Sequence, residues 1–328
     1  MIITKTPFRM SFSGGGSDME EFYSRSEGAV LSVSLDKSIY ISTHRFFEEG
    51  KFRIKYSRTE TAEGTASVQH PIVREALERF GVKGSLEISS NGDVPSGTGL
   101  GSSSAFTVCL LHNLHVRAGR YVTQEELARQ ACEIEIERLK EPIGKQDQYA
   151  AAYGGLNVFR FLSNGEVAVE PLHLPKDVYK RFHSSLMLFY TGEQRKTSQI
   201  LSEQRSNLKA QDKFSMLREM VGHVYQFRDA LCAGNLDAAG TLLHKGWLLK
   251  RGLASKISTP ELDSLYDTAI RNGALGGKLL GAGGGGFFLF YCPPERQEKL
   301  RSALPSLREF RFKFTNEGSK VIYVGDEY

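Results

Sequence analysis

Residues 95–105 read PSGTGLGSSSA, and the fold turns on what this stretch is. The segment before it, GSLEISSNGD (84–93), puts Leu86 and Ile88 on one side of an alternating pattern, which predicts a strand. The segment after it, SSSAFTVCLLHNLHVRAG (102–119), is mostly apolar and predicts a helix with Ala105, Val108, Cys109 and Leu111 at its middle. A glycine-rich loop between a strand and a helix can seat an anion, because the unpaired N–H groups of the first helical turn point back over the loop. It is not the lysine-bearing phosphate loop of nucleoside triphosphatases: Gly101 is followed by Ser102, so no G-K-[ST] ending exists. Nor is it the G-x-G-x-x-G turn that opens a dinucleotide fold. Phosphate charge would then be met by backbone dipoles and a cation. A serine hydroxyl at the helix start suits the oxygen shell of Mg²⁺.

Working outward, the chain starts with strand-like pieces, IITKTPFRMSFSG (2–14), AVLSVSLDKSIYISTHRFF (29–47) and KFRIKYS (51–57). A helix is predicted at 68–80, stopped by Gly81, and another follows Thr123, whose spacing to Glu126 fits a capping box. SSLMLFYTGEQR (184–195) predicts a strand that breaks at Thr191–Gly192, and a second domain is expected from about residue 180, giving domains of 1–180 and 181–328. Helices are expected through 196–252, with Trp247 in the core, and from Pro260 with Thr259 as cap. The run GAGGGG (281–286) enters an apolar strand, and FRFKFT (310–315) and SKVIYVG (319–325) close the chain. Strands first and helices interspersed read as α+β.

At 328 residues, 40% hydrophobic and 24% charged, the chain is an ordinary globular sequence. Its formal charge of +4 and pI near 8.7 suit an anionic small molecule as easily as a nucleic acid, and no dense basic run favours the latter. Basic residues are interspersed with acidic ones, which argues against a nucleic-acid partner. No apolar stretch of membrane-spanning length or signal-peptide core is seen. Cys109, Cys132, Cys232 and Cys292 form no C-x-x-C pair, so buried free thiols and a reducing cytoplasm are expected.

Glycine clusters recur at SGGGSD (13–18) and GAGGGG (281–286), and three such clusters beside strands suggest backbones drawn around one ligand. Carboxylates for a cation come from CEIEIERLKEPIGKQDQYAAAYGG (132–155), where Glu133, Glu135 and Glu137 spread around a helix and Asp147 falls in a loop. An aspartate beside a cation can orient a substrate hydroxyl or accept its proton, and Arg9 is the expected companion. Asp18, after Gly15 and Gly16, is placed to hold sugar-like hydroxyls.

With PFRMSFSGGGSD, PSGTGLGSSSAF and KLLGAGGGGFF in this order, the chain resembles the GHMP-superfamily small-molecule kinases over nearly its whole length. The resemblance implies a two-domain fold, an N-terminal ribosomal protein S5 domain 2-like domain and a C-terminal ferredoxin-like one, with ATP and substrate in the cleft. It implies that Pro95, Gly97, Thr98, Gly99, Leu100, Gly101, Ser102, Ser103 and Ser104 wrap the ATP phosphates. It makes Ser103 and Glu135 the Mg²⁺ ligands and Asp147 the catalytic aspartate. Arg9 stands where mevalonate kinases have a lysine. Within the superfamily, SFSGGGSD, GKQDQYAAAYGG and LMLFYTGEQRKTSQIL resemble the kinases that phosphorylate the anomeric hydroxyl of D-glycero-D-manno-heptose 7-phosphate, giving the 1,7-bisphosphate. Such a phosphorylated sugar needs a cationic pocket, for which Arg195 with Lys196, Arg25 and Lys37 are candidates, and Gly284 joins the substrate-side residues. A kinase for another sugar such as fucose, a phosphomevalonate-type kinase, and a non-catalytic nucleotide sensor are the alternatives. A homodimer is compatible with this reading.

Overall fold

The computed structural model describes residues 1–192 and 197–325. Its first sheet has nine strands. Along the main path lie β1 (Ile2–Ser13), β2 (Gly28–Arg45), β3 (Lys51–Lys55), β4 (Thr59–Glu63) and β5 (Leu86–Gly92), in the spatial order β1-β2-β5-β3-β4. β6 (Leu156–Phe161) pairs with β2 and with β7 (Val167–Pro171). β1 is buried along nearly its whole length, so its apolar and polar positions both face packed layers. The short helix α1 (Glu20–Tyr23) follows β1, and behind the sheet lie α2 (Pro71–Phe80), α3 (Ser102–Arg117), α4 (Gln124–Cys132) and α5 (Gln146–Tyr153). The expected stops and caps are present: Gly81 is left-handed at φ 63°, and the Thr123 side chain accepts from the Glu126 N–H.

After α6 (Lys176–Ser184) comes β8 (Leu186–Tyr190), then the helices α7 (Thr197–Asn207), α8 (Gln211–Cys232), α9 (Leu236–Arg251) and α10 (Pro260–Arg271). The strands β9 (Gly276–Leu279) and β10 (Phe287–Tyr291), the helix α11 (Gln297–Ala303) and β11 (Arg308–Glu309) follow. The second sheet is antiparallel in the order β11-β8-β10-β9. Numbered by their own sequence, these strands lie 4-1-3-2, the split βαβ arrangement of a ferredoxin-like domain. The last strands, β12 (Phe314–Thr315) and β13 (Lys320–Val324), return to the first sheet against β2 and β1. Sheet membership therefore does not follow a single cut at residue 180.

The two halves are sealed by aromatic packing. Phe12 of β1 meets Phe182 of α6 at 5.2 Å and Phe227 of α8 at 5.5 Å, and Phe22 of α1 stacks on Phe214 of α8 at 4.7 Å. Trp247 is buried under β10, as its surroundings in the sequence predict. Cys109, Cys132 and Cys292 are buried free thiols, but Cys232 at the end of α8 is exposed, a correction to the expectation that all are buried. Among the described residues no helix is long and apolar enough to cross a membrane.

Candidate active site

The three glycine clusters meet around one cavity of about 270 Å³, lined by residues from both halves of the chain. Backbone approaches backbone there, which is why side chains are absent. A Cβ on Gly99 (φ +87°) would stand 2.5 Å from the Leu280 carbonyl oxygen, and one on Gly281 (φ +71°) 2.5 Å from the Gly99 Cα. The middle loop and the third cluster thus lock together, and the loop runs into α3 through Gly101 at φ 74°.

β1 brings Arg9 and Ser11 to the cavity from alternate positions on one face. Its pairing with β2 slips between Pro7 and Arg9 and again between Ser11 and Ser13, the kind of irregularity that re-aims side chains at a site. Arg9 grips Asp147 in a fork: Nε donates to Oδ1 and Nη2 to Oδ2, both at 2.8 Å, while Nη1 donates to the Gly99 carbonyl at 2.6 Å. One arginine therefore fixes both the acidic side chain and the loop. Arg9 is 5% exposed and Asp147 26%, so the carboxylate keeps an open edge toward the cavity. Asp147 lies in the first turn of α5 rather than in a loop, and this rigid placement corrects the sequence reading.

The glutamates separate as their faces require. Residues 133–138 form a π-helical turn, which swings Glu135 inward to 1% exposure. Glu133 pairs with Arg79 at 2.8 Å and Glu137 is exposed. Glu135 accepts from the Ser103 hydroxyl at 2.9 Å and from Gln148 Nε2 at 2.7 Å. Burial raises its pKa, against the lowering effect of the hydrogen bonds from Ser104, Gln148 and Ser103. Paired hard oxygen donors, with the Gln148 Oε1 acceptor buried and unpartnered beside them, fit Mg²⁺. Among the described residues no cluster of three metal-binding side chains exists.

Of the loop residues, Gly97, Gly99, Gly101, Ser102, Ser103 and Ser104 line the cavity. Thr98 and Leu100 are buried, and the Thr98 hydroxyl donates to the Pro95 carbonyl, so these three brace the loop from behind. Gly15, Gly16 and Asp18 line the opposite wall. Asp18 is already engaged, accepting from the Gly16 N–H at 2.8 Å and from the Gln146 N–H and side chain at 3.2 and 3.1 Å. Burial, then Asp147, raises its pKa. It shapes the wall and has little acceptor capacity left for sugar hydroxyls.

Three expected substrate residues are not brought here. Arg25 donates to the Leu208 carbonyl and stacks over Phe214 at 3.9 Å, Lys37 sits beside Asp36, and the Gly284 N–H donates to the Ile257 carbonyl. Each is committed to packing or local structure. Arg195 and Lys196 lie outside the described residues. Two lysines that sequence reading passed over do line the cavity: Lys250 of α9 and Lys278 of β9. The only signal for Lys278 was its place at the head of KLLGAGGGG, and Lys250 had none beyond a charge within an apolar helix.

Comparison with known proteins gives the family. Residues 68–155 match the GHMP kinases N terminal domain and residues 227–308 the GHMP kinases C terminal domain. D-glycero-alpha-D-manno-heptose 7-phosphate kinase of Campylobacter jejuni is 30% identical over 97% of this chain and 98% of its own length. Galactokinase of Thermococcus kodakarensis is 26% identical over 95% of each. The crystal structure of a D-glycero-D-manno-heptose 1-phosphate kinase from Bacteroides thetaiotaomicron superposes with a TM-score of 0.81, at 24% identity, over 99% of this chain and all of that one. With both domain models matched in order and a relative aligned end to end, the chain belongs to the GHMP kinase family and is a small-molecule kinase.

Proposed function

We propose that the protein transfers the γ-phosphoryl group of ATP to the anomeric hydroxyl of D-glycero-D-manno-heptose 7-phosphate, giving the 1,7-bisphosphate. The observation that carries this reading is the pair of acidic constellations opening on one glycine-walled cavity, Arg9–Asp147 on one side and Ser103–Glu135 on the other. The 30% identity to a heptose 7-phosphate kinase supports the choice of sugar. The loop N–H groups of 97–104 hold the phosphates. Ser103 and Glu135 would hold Mg²⁺, which would neutralise phosphate charge. Asp147 orients the acceptor hydroxyl and takes its proton, held in position by Arg9. Arg195 is assigned to the sugar's own phosphate, residues 1–180 to ATP binding, and the protein to the cytoplasm, where its buried thiols stay reduced.

The test is ³¹P NMR of the purified protein with MgATP and a panel of sugars with and without a terminal phosphate. A new anomeric phosphate resonance on the heptose 7-phosphate is expected. Transfer only to unphosphorylated sugars would reassign the substrate, and no transfer to any sugar would sink the choice of a sugar as acceptor. In D147N, turnover should fall about 10²–10⁴-fold, the range for a positioned proton acceptor, with nucleotide affinity held within a few-fold.

A further inference from the structure

Arg9 contributes little net charge to the cavity, because its fork is spent on Asp147 and its remaining arm holds the Gly99 carbonyl. The cavity's other basic groups are Lys250 and Lys278, which are 6% and 4% exposed. Lys250 Nζ donates to the carbonyls of Leu279 (3.0 Å) and Gly281 (2.5 Å), and Lys278 Nζ donates to the Phe12 carbonyl at 3.3 Å. Among the described residues neither has a carboxylate within ion-pair distance. A lysine ammonium carries three N–H groups, so one remains on Lys250 and two on Lys278. Burying an unpaired ammonium is costly, and two of them beside an arginine more so, unless an anion arrives. Their position narrows which anion. Lys250 is tied to Gly281, Gly281 packs on Gly99, and Gly99 is held by Arg9, so the lysines stand where the phosphate loop meets the acceptor-side pair.

We infer that Lys250 and Lys278 receive the γ-phosphate of the bound nucleotide and hold it as it passes to the acceptor. This rests on the kinase reading above, but assigns a function to two residues which that reading leaves unused. Lys250 and Lys278 meet the charge that the lysine-free loop leaves unmatched, replacing a cation on the loop with two cations from the opposite half of the molecule. The charged groups that act on them are Arg9 from β1 and each other from α9 and β9, and the cavity they line also holds Asp18, Glu135, Glu141 and Asp147. Burial first, then Arg9, pushes Lys250 down to about 7, and burial, Lys250 and Arg9 push Lys278 well below its ordinary value. An arriving γ-phosphate therefore draws protons onto the pair.

The test compares K250M and K278M with the parent protein, using calorimetric binding of ADP and of a non-hydrolysable ATP analogue in Mg²⁺, with kcat measured alongside. Triphosphate affinity should fall at least tenfold while ADP affinity stays within threefold, and kcat should fall at least a hundredfold. Equal losses for both nucleotides would overturn the assignment. So would unchanged nucleotide binding with weakened sugar-phosphate binding, which would give the lysines to the acceptor. Should the variants not fold, the unaltered protein carries the test: at pH 8, binding of the ATP analogue takes up protons from buffer and binding of ADP does not, and equal uptake for both contradicts the inference. A parent protein that shows the triphosphate-specific uptake yet phosphorylates no sugar would refute the heptose assignment and leave the γ-phosphate contact standing.

Discussion

At the scale of single residues, the site stores cost in its apo form. Glu135 is buried with its pKa raised by desolvation, so between its unfolded and folded values the native state holds the extra proton. Its contribution to stability is present below the unfolded value, is lost as pH rises through the folded one, and above that the fold carries a buried anion. E135Q removes that burden, and the side chain of Gln148, with its unpartnered Oε1, can turn to accept from the new amide. Thermal or urea unfolding at pH 7–8 should therefore find the apo variant more stable by about 1–2 kcal/mol, with the gain vanishing below pH 4. Added Mg²⁺ and nucleotide should stabilise the parent and have far less effect on E135Q. A variant less stable than the parent at pH 7–8 would mean the carboxylate is held by more than the hydrogen bonds from Ser103 and Gln148.

At the scale of elements, the decisive contact is between two loops. G281A adds a methyl at positive φ against the Gly99 Cα, so the third cluster must back away from the phosphate loop. A loss of about 1–3 kcal/mol in unfolding free energy is expected, together with weaker nucleotide binding; wild-type values for both would show the loops are not interlocked. Much of this was legible in the sequence, because glycine clusters, the Thr123 and Thr259 caps and the alternation of β1, β2 and β3 are local signals. The inward turn of Glu135 was not, since π-helical winding leaves the same residues in the same order as an α-helix and only the tertiary setting of 133–138 selects between the faces. Nor were Lys250 and Lys278, which become neighbours only when α9 packs beside β9. β6, β7 and α6 were also unread, their short patterns lying between stronger ones.

At the scale of the whole molecule, the chain's last strands complete its first sheet, with β13 on β1 and β12 on β2. A fragment of residues 1–180 lacks both, and loses the Phe182 and Phe227 rings that cover Phe12. It should fail to give the cooperative melt and dispersed amide spectrum of a native domain; a well-folded fragment would show the first sheet to be self-sufficient. This interleaving is what lets α9 and β9 deliver cations to a cavity whose loop and carboxylates come from the first half. The most direct measurement is a crystal structure with Mg²⁺ and a non-hydrolysable ATP analogue. It should show the triphosphate along residues 97–104, the ion at about 2.0–2.1 Å from oxygen ligands that include Ser103 and Glu135, and the terminal phosphate beside Asp147. A nucleotide bound away from that loop, with the cavity walls unchanged, would contradict the account.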